Sequence, residues 1–165
     1  MSKNLDFCLN YSKTFNEDSE NLLFIGGTGL GKTHLSCSIA NEVAKSKFSV
    51  SYISFPKELI ENSKISDNDF NRKKKLNSDL LIIDDLGIEN STSFSNSFLF
   101  NVINTRVMKG LQTILVTNLS LKLLEKIYGQ TILSRIMGNF LKVSFVGNDV
   151  RQQSYEKKLK KRGEL

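Results

Sequence analysis

Residues 26–33 read Gly-Gly-Thr-Gly-Leu-Gly-Lys-Thr, directly after the apolar run 22–25 and directly before a helical pattern. The glycines allow successive backbone N–H groups to turn inward around a polyphosphate, while Lys32 can reach its β- and γ-phosphates and the Thr33 hydroxyl can ligate Mg²⁺. The alternative is a glycine-rich turn between a strand and a helix. We predict a nucleotide site formed by Gly27, Thr28, Gly29, Leu30, Gly31, Lys32, Thr33 and His34.

Two acids follow a second apolar run, in the segment Leu-Leu-Ile-Ile-Asp-Asp-Leu-Gly at 80–87. A buried strand that ends in two acids places the first at the carboxyl edge of the sheet, where α/β folds bind ligands. There Asp84 can hold Mg²⁺ through its waters, and Asp85 can orient or deprotonate an attacking water. Acids at strand ends are also common turn formers, but the pairing with the glycine-rich loop favours the catalytic interpretation.

A third run, Thr-Ile-Leu-Val-Thr-Asn at 113–118, ends in a hydroxyl and a carboxamide. Asn118 can both donate and accept hydrogen bonds, so it can bridge a γ-phosphate and the attacking water. The alternative is a helix-capping residue before Ser120. With the first two motifs present, we favour a sensor role for Asn118.

The elements that must position these residues alternate between short apolar runs and amphipathic stretches, which is typical of an α/β fold with a parallel sheet. Continuous apolarity within the runs predicts strands covered on both faces. Pro56, the segment Ser-Thr-Ser at 91–93, and Ser120 predict helix starts, and Gly129 predicts a helix end. The predicted strands are 22–25, 50–55, 80–84, 113–117 and 141–146.

The length of 165 residues predicts one domain. The two cysteines are expected to be reduced thiols, as in the cytoplasm. The chain has no apolar stretch long enough for a membrane span. The net charge of +6 is concentrated at 151–165, which holds six Lys or Arg against two Glu, and a second basic cluster lies at 72–75. Either cluster could contact nucleic-acid phosphates, although such runs are more often solvated.

Together with Ser-Arg-Ile at 134–136 and Gly-Asn-Asp-Val-Arg at 147–151, these motifs resemble the ATPase domain of bacterial replicative-helicase loaders of the DnaC/DnaI type, and the related IstB-type transposition helpers. The resemblance runs from about Leu22 to Arg151. It implies an AAA+ P-loop fold, a three-layer sandwich with a five-stranded parallel sheet of order 5-1-4-3-2. It also implies Mg²⁺-dependent ATP hydrolysis that is slow and depends on assembly into a homo-oligomer, with single-stranded DNA along the inner surface.

The resemblance also assigns individual roles. It gives Asp84 to Mg²⁺, Asp85 to catalysis and Asn118 to the first sensor position. It makes Arg135 the arginine finger that completes a neighbour's site, and Arg151 the second sensor. Spacing alone would show neither arginine role.

The sequence departs from these families in three ways. Only residues 1–21 precede the predicted ATPase core at 22–151, so a helicase-binding N-terminal domain is expected to be absent. Little or no helical lid is expected, because only the basic tail 152–165 follows the core. Asp85 stands where many AAA+ proteins have Glu, and His34 is expected to pack or hydrogen-bond locally rather than to catalyse.

The favoured function is therefore an ATPase domain of a helicase loader, with a replicative helicase as its partner. Three alternatives remain open: an IstB-like transposition helper, a small-molecule P-loop kinase, and an ATP-gated binding module that does not hydrolyse ATP. The kinase would need an arginine-bearing lid and an acceptor pocket in place of the paired acids and the Thr-Asn pair.

Overall fold

Five parallel strands form one sheet in the order β2-β3-β4-β1-β5. The computed structural model describes residues 2–63, 69–147 and 149. Read from the other edge, this strand order is the predicted 5-1-4-3-2, so that prediction is confirmed. The strands are β1 (Asn21–Gly26), β2 (Val50–Ser54), β3 (Leu80–Leu86), β4 (Gln112–Thr117) and β5 (Phe140–Phe145).

Helices cover both faces of the sheet, as the continuous apolarity of the strands requires. The central strands β1, β3 and β4 alternate their side chains between two buried clusters. One cluster packs against the helix that follows the glycine-rich loop, and the other against helices from the second half of the chain. The helices are α1 (Ser2–Lys13), α2 (Lys32–Lys45), α3 (Phe55–Ser63), α4 (Asp69–Leu76), α5 (Ser93–Met108), α6 (Leu121–Tyr128) and α7 (Gln130–Asn139).

Three helix starts and one helix end follow their predicted signals, and Pro56 lies in the first turn of α3. Thr92 caps α5 and forms a reciprocal pair of hydrogen bonds with Ser95, which satisfies two backbone donors. Ser120 caps α6 by accepting from the backbone N–H of Leu123, and Gly129 ends α6 at φ 83°. A left-handed conformation of this kind favours glycine because it has no Cβ.

The N-terminal helix α1 was not predicted as an element of the ATPase core, yet it packs against α2. Tyr11 and Phe15 are buried in the same cluster as β1, and Phe15 meets Phe48 edge to face with ring centroids 5.0 Å apart. Downstream of α1, the side chain of Gln112 donates to the carbonyl of Glu17 at 2.7 Å. Residues 2–20 are therefore part of the folded domain.

Helix α4 carries the basic cluster at 72–75 and was not predicted as a helix. Its residue Lys75 approaches Glu58 at 3.8 Å and Glu61 at 3.7 Å on α3. Lys75, one of the predicted basic cluster at 72–75, thus connects α3 and α4. Within the described ranges, no helix is both long and apolar enough to cross a membrane.

Candidate functional site

The glycine-rich loop connects β1 to α2 at the carboxyl edge of the sheet. Gly29 and Gly31 adopt φ 73° and 85°, a region that favours glycine. A Cβ at Gly29 would lie 1.9 Å from a carboxylate oxygen of Asp149, so a larger residue there would displace that side chain. No described side chain caps the N-terminus of α2. Its first N–H groups and the positive end of the helix dipole suit an anion.

Lys32, at the start of α2, is 5% exposed. Its ammonium group donates to the carbonyls of Gly26 at 2.8 Å and Gly27 at 2.6 Å. It also donates to the side-chain oxygen of Asn118 at 2.7 Å. The structure thus brings together the loop after β1 and the residue after β4, which are 86 positions apart. This is the proximity that the sequence predicted for Asn118.

Asp84 lies near the end of β3 and is 2% exposed. One carboxylate oxygen accepts from the hydroxyl of Tyr52 on β2 at 2.8 Å, and the other accepts from the backbone N–H of Asp85 at 2.8 Å. Burial, and then the hydrogen bond to Asp84, raises the pKa of Tyr52, which keeps its hydroxyl protonated as a donor. The sequence analysis missed Tyr52. It lies beside Asp84 only because β2 pairs with β3, and that pairing has no local sequence signal.

Asp85 has φ 60°, which is uncommon for a residue with a Cβ and is often found at functional sites. Its carboxyl is partly buried, and burial raises its pKa, as does the charge of Asp84. Lys57 and a hydrogen bond from Ser54 act in the opposite direction. A carboxylate with a raised pKa is a stronger base than a solvated one.

The ends of β3 and β4 are braced to each other just beyond the two acids. The hydroxyl of Thr117 donates to the carbonyl of Leu86 at 2.7 Å. Gly87 has φ 92°, and a Cβ there would lie 2.1 Å from the side chain of Leu119. The glycine of the Asp-Asp-Leu-Gly segment therefore meets two requirements, backbone conformation and close packing.

A pocket of 1020 Å³ opens onto the glycine-rich loop. Asp85 and Asn118 line it together with loop residues Thr28 to Thr33 and with His34. Asp84 is buried and is not among the lining residues. Helix α1 adds a wall that sequence analysis missed, although apolar residues at helical spacing could have revealed it. The α1 residues that line the pocket are Leu5, Cys8, Leu9, Ser12 and Lys13.

These residues fit a Mg²⁺-bound nucleotide. The uncapped start of α2 and the buried ammonium of Lys32 supply positive potential for phosphates. Mg²⁺ is commonly held by one or two carboxylates together with substrate phosphates and water. Asp84 accepts two hydrogen bonds, and because a carboxylate has about four acceptor positions, it retains capacity for a metal-bound water. Among described residues, no cluster of three acidic, His or Cys side chains could hold a metal alone.

Arg135 lies on α7, away from this pocket. Its guanidinium donates to the side-chain oxygen of Asn104 on α5 at 2.5 Å, and it is not among the pocket-lining residues. Within the described chain, Arg135 is therefore not placed in its own subunit's site. Arg151 and the basic tail 152–165 lie outside the described residues.

The fold and this site define an AAA+-type P-loop domain. The family model described as "IstB-like ATP binding protein" matches residues 9–162. This chain belongs to that family.

Curated relatives include two kinds of protein. An insertion sequence IS232 putative ATP-binding protein from Bacillus thuringiensis subsp. berliner is 33% identical over 156 residues, covering 89% of this chain and 60% of the relative. The replicative helicase loader DnaC of Escherichia coli K12 is 27% identical over 150 residues, covering 87% of this chain and 61% of the relative. The chain thus spans about three-fifths of the length of these relatives.

Solved structures share the fold. A crystal structure of the DnaC helicase loader superposes with a TM-score of 0.76 at 24% identity, covering 88% of this chain and 89% of that one. AMPPCP-bound DnaA from Aquifex aeolicus gives a TM-score of 0.71 at 24% identity, covering 94% of this chain and 50% of that one.

Proposed function

We propose that this domain binds ATP with Mg²⁺ at the carboxyl edge of its sheet and hydrolyses it as the ATPase module of a replicative-helicase loader. The observation that carries the proposal is the contact between Lys32 and Asn118 at 2.7 Å. This contact joins the glycine-rich loop to the strand end beside Asp85. A single pocket therefore contains groups that can bind phosphate, orient a water and accept a proton.

In this proposal the phosphates lie against the loop and the first turn of α2. Backbone N–H groups of residues 27–33 and the ammonium of Lys32 would bind phosphate oxygens, and Lys32 would exchange its bonds to loop carbonyls for bonds to phosphate. The Mg²⁺ that Thr33 and Asp84 would hold supplies charge that offsets the phosphates.

Hydrolysis is assigned to Asp85 and Asn118. Asp85 would accept a proton from the attacking water, a role that its raised pKa supports. Asn118 would orient that water, since its carboxamide can donate and accept at once. Its amide oxygen already points to Lys32, which places the carboxamide beside the phosphate loop.

Arg135 is assigned to a neighbouring subunit's site. Its placement on α7, outside its own pocket, supports a role in trans, so turnover would require a homo-oligomer. Arg151 is proposed as a second sensor arginine on the basis of the family resemblance alone.

Single-stranded DNA and a replicative helicase are the proposed partners; the DnaC relatives, which are replicative helicase loaders, support the helicase, and single-stranded DNA is proposed on the family resemblance. A transposition-helper function is the second candidate, because the relative with 33% identity is an insertion-sequence protein. Affinity capture of a native or longer form separates the two: recovery of a replicative helicase supports the first, and recovery of a transposase supports the second.

The test of hydrolysis measures ATP turnover by wild type, Asp85→Asn and Asp79→Asn. Asp79 is a matched carboxylate at the opposite end of β3, so its variant controls for lost charge. We expect Asp85→Asn to lower kcat by about 100-fold or more, as loss of a general base does, while Asp79→Asn keeps wild-type turnover. Equal turnover by all three proteins would contradict the assignment.

The trans role is tested by mixing two inactive variants. Lys32→Ala lacks a working nucleotide site but keeps Arg135, whereas Arg135→Ala has the reverse defect. A mixed interface can pair one intact site with one intact finger, so we expect the mixture to recover part of the wild-type turnover. Full activity of Arg135→Ala alone at high dilution would show that each subunit's site is complete.

A further inference from the structure

Glu89 connects the turn after the two acids to a buried tyrosine. One of its carboxylate oxygens accepts from the backbone N–H of Gly87 at 3.0 Å, and the other accepts from the hydroxyl of Tyr128. Tyr128 is the last residue of α6 and is 4% exposed. Two elements that are 39 positions apart in sequence thus meet at one carboxylate.

The turn that Glu89 holds contains the unusual backbone of the site. Asp85 at φ 60° and Gly87 at φ 92° both lie in the left-handed region, and the N–H of Ile88 closes the turn on the carbonyl of Asp85 at 3.3 Å. A non-glycine residue in this region costs about 1–3 kcal/mol and persists only where surrounding contacts hold it. Those contacts therefore determine where the Asp85 carboxylate lies.

The turn is held on two sides. On the strand side, Thr117 donates to the carbonyl of Leu86. On the far side, Glu89 fixes the N–H of Gly87 and is itself fixed by Tyr128. Burial, and then the bond to Glu89, raises the pKa of Tyr128, so its hydroxyl remains a donor at neutral pH.

We propose that Glu89 and Tyr128 are positioning residues for Asp85, and that together they hold the 85–88 turn in the conformation required for hydrolysis. The proposal rests on the proposed function, since it assigns a purpose to the placement of Asp85. Neither residue lines the pocket among the described residues, so neither is expected to touch nucleotide.

Attachment of α6 to this region does not depend on the tyrosine. The side chain of Ser91 donates to the carbonyl of Ile127 at 3.1 Å, and the carboxamide of Asn96 reaches the same carbonyl at 3.5 Å. Removing the Tyr128 hydroxyl therefore releases Glu89 while the end of α6 stays docked. The effect expected from the variant is local to the turn.

The first experiment compares Tyr128→Phe with Tyr11→Phe. Tyr11 is a matched control because it is 8% exposed and its hydroxyl donates to the carbonyl of Glu20 at 2.7 Å, far from the turn in sequence. We expect Tyr128→Phe to lower kcat by about 10-fold or more, because a misplacement of about 1 Å can cost about 100-fold. KM for ATP should stay within about 2-fold, as expected when ground-state binding is retained. Tyr11→Phe should leave both parameters unchanged.

Glu89 provides the conservative comparison. In Glu89→Gln one oxygen can still accept from Gly87 or from Tyr128, so part of kcat should be retained. Glu89→Ala removes both acceptors and should reduce kcat at least as much as Tyr128→Phe does. If Glu89→Ala and Tyr128→Phe both keep wild-type kcat, the positioning role is wrong.

Amide hydrogen exchange gives a readout that does not depend on turnover. The Gly87 amide should exchange faster in Tyr128→Phe and in Glu89→Ala than in wild type, and Tyr11→Phe should not change it. Unchanged exchange in both variants would overturn the proposal.

Asp85→Asn separates failure of the positioning role from failure of the proposed function. If Asp85→Asn loses turnover and Tyr128→Phe keeps it, only the positioning role is rejected. If Asp85→Asn keeps turnover, the catalytic assignment is rejected.

Discussion

The two ends of strand β3 each combine a carboxylate with a nearby buried cation. The surroundings shift the pKa of the two carboxylates in opposite directions. At the amino end, Asp79 directly precedes the strand, and the guanidinium of Arg106 bonds to backbone carbonyls beside it. At the carboxyl end, Asp85 lies near the end of the strand, and Lys32 begins α2 directly after the glycine-rich loop. Both cations are almost fully buried, at 1% exposure for Arg106 and 5% for Lys32.

At the amino end every charge is satisfied by the protein. Arg106 uses all five of its N–H donors, bonding to the Thr113 hydroxyl and to four backbone carbonyls at 2.5–3.4 Å. Burial lowers the pKa of Arg106 to about 10, so it remains charged at neutral pH. Asp79 accepts from the Ser49 hydroxyl and N–H, and these bonds lower its pKa.

At the carboxyl end the carboxylate is held less favourably, although the ammonium of Lys32 also uses all three of its N–H donors. Burial and the neighbouring Asp84 raise the pKa of Asp85, and its backbone is left-handed. Lys32 bonds to carbonyls of the loop itself and to Asn118. Burial of a charge therefore does not identify a functional site. Unfavourable charge and backbone strain that converge on a pocket are more informative.

The largest expected effect is the loss of stability in Arg106→Met. This change removes a donor from four carbonyls and one hydroxyl, of which the Asp79 carbonyl still accepts from the N–H of Gln112 at 3.0 Å, and buried polar groups that lose their partners are costly. We expect the free energy of unfolding to fall by about 4 kcal/mol, measured by urea denaturation. Nucleotide should still stabilise the variant, because Arg106 lies at the edge opposite the site.

Lys109→Met is the control for this comparison. Lys109 is an exposed cation at the same edge, and it donates to the side chain of Asn77 at 2.7 Å. Its loss should change stability by less than about 0.5 kcal/mol. An Arg106→Met variant as stable as Lys109→Met would mean that the amino end is not the structural anchor described here.

The second effect concerns Lys32→Ala, which removes the ammonium group that contacts the loop. Wild type should gain about 2.7 kcal/mol from Mg²⁺-ATP at a concentration 100-fold above Kd. The variant should lose most of this gain, as measured by thermal unfolding with and without nucleotide. If nucleotide stabilised wild type and Lys32→Ala equally, the carboxyl end of β3 would not be the end that binds nucleotide through Lys32.

The smallest effects test the two carboxylates through pH. The pKa of Asp79 is lowered, so its stabilisation is present above its ordinary value of 3.8 and is lost as pH falls below it. Asp79→Asn should therefore cost about 1 kcal/mol at pH 7 and much less near pH 3.

The pKa of Asp85 is raised, so ionisation of its carboxyl opposes folding above its ordinary value. Asp85→Asn should stabilise the protein at pH 7 by less than about 1 kcal/mol, because solvent screens the partly exposed charge.

Unfolding measured across this pH range provides the check. The two variants should shift stability in opposite directions at pH 7 and converge towards wild type in acid. Shifts of the same sign at pH 7 would contradict the assigned environments.

The carboxyl end could be predicted from sequence because its residues follow local rules. Asp84, Asp85 and Asn118 lie at the ends of apolar runs, Lys32 lies in the glycine-rich motif that follows another, and parallel strands bring their carboxyl ends to one edge. The sheet order came from a family resemblance, since periodicity does not specify which strands are neighbours.

The amino end and the supporting contacts could not be predicted in this way. Arg106 lies in the last turn of α5, where a cation normally remains solvated near the helix C-terminus. Its partners become neighbours only when β3 and β4 pair. Tyr52, Glu89 and Tyr128 likewise depend on contacts between residues 32 or 39 positions apart. Such tertiary contacts have no periodic signal.

Amide hydrogen exchange with and without Mg²⁺-AMPPCP tests the central claim most directly, because it compares both ends of β3 in one protein. We expect nucleotide to slow exchange at residues 27–35 and 84–88, and to leave residues 76–80 and 110–113 unchanged. Protection at the amino end, or no protection in the glycine-rich loop at saturating nucleotide, would contradict the claim that the carboxyl end is the ATP site.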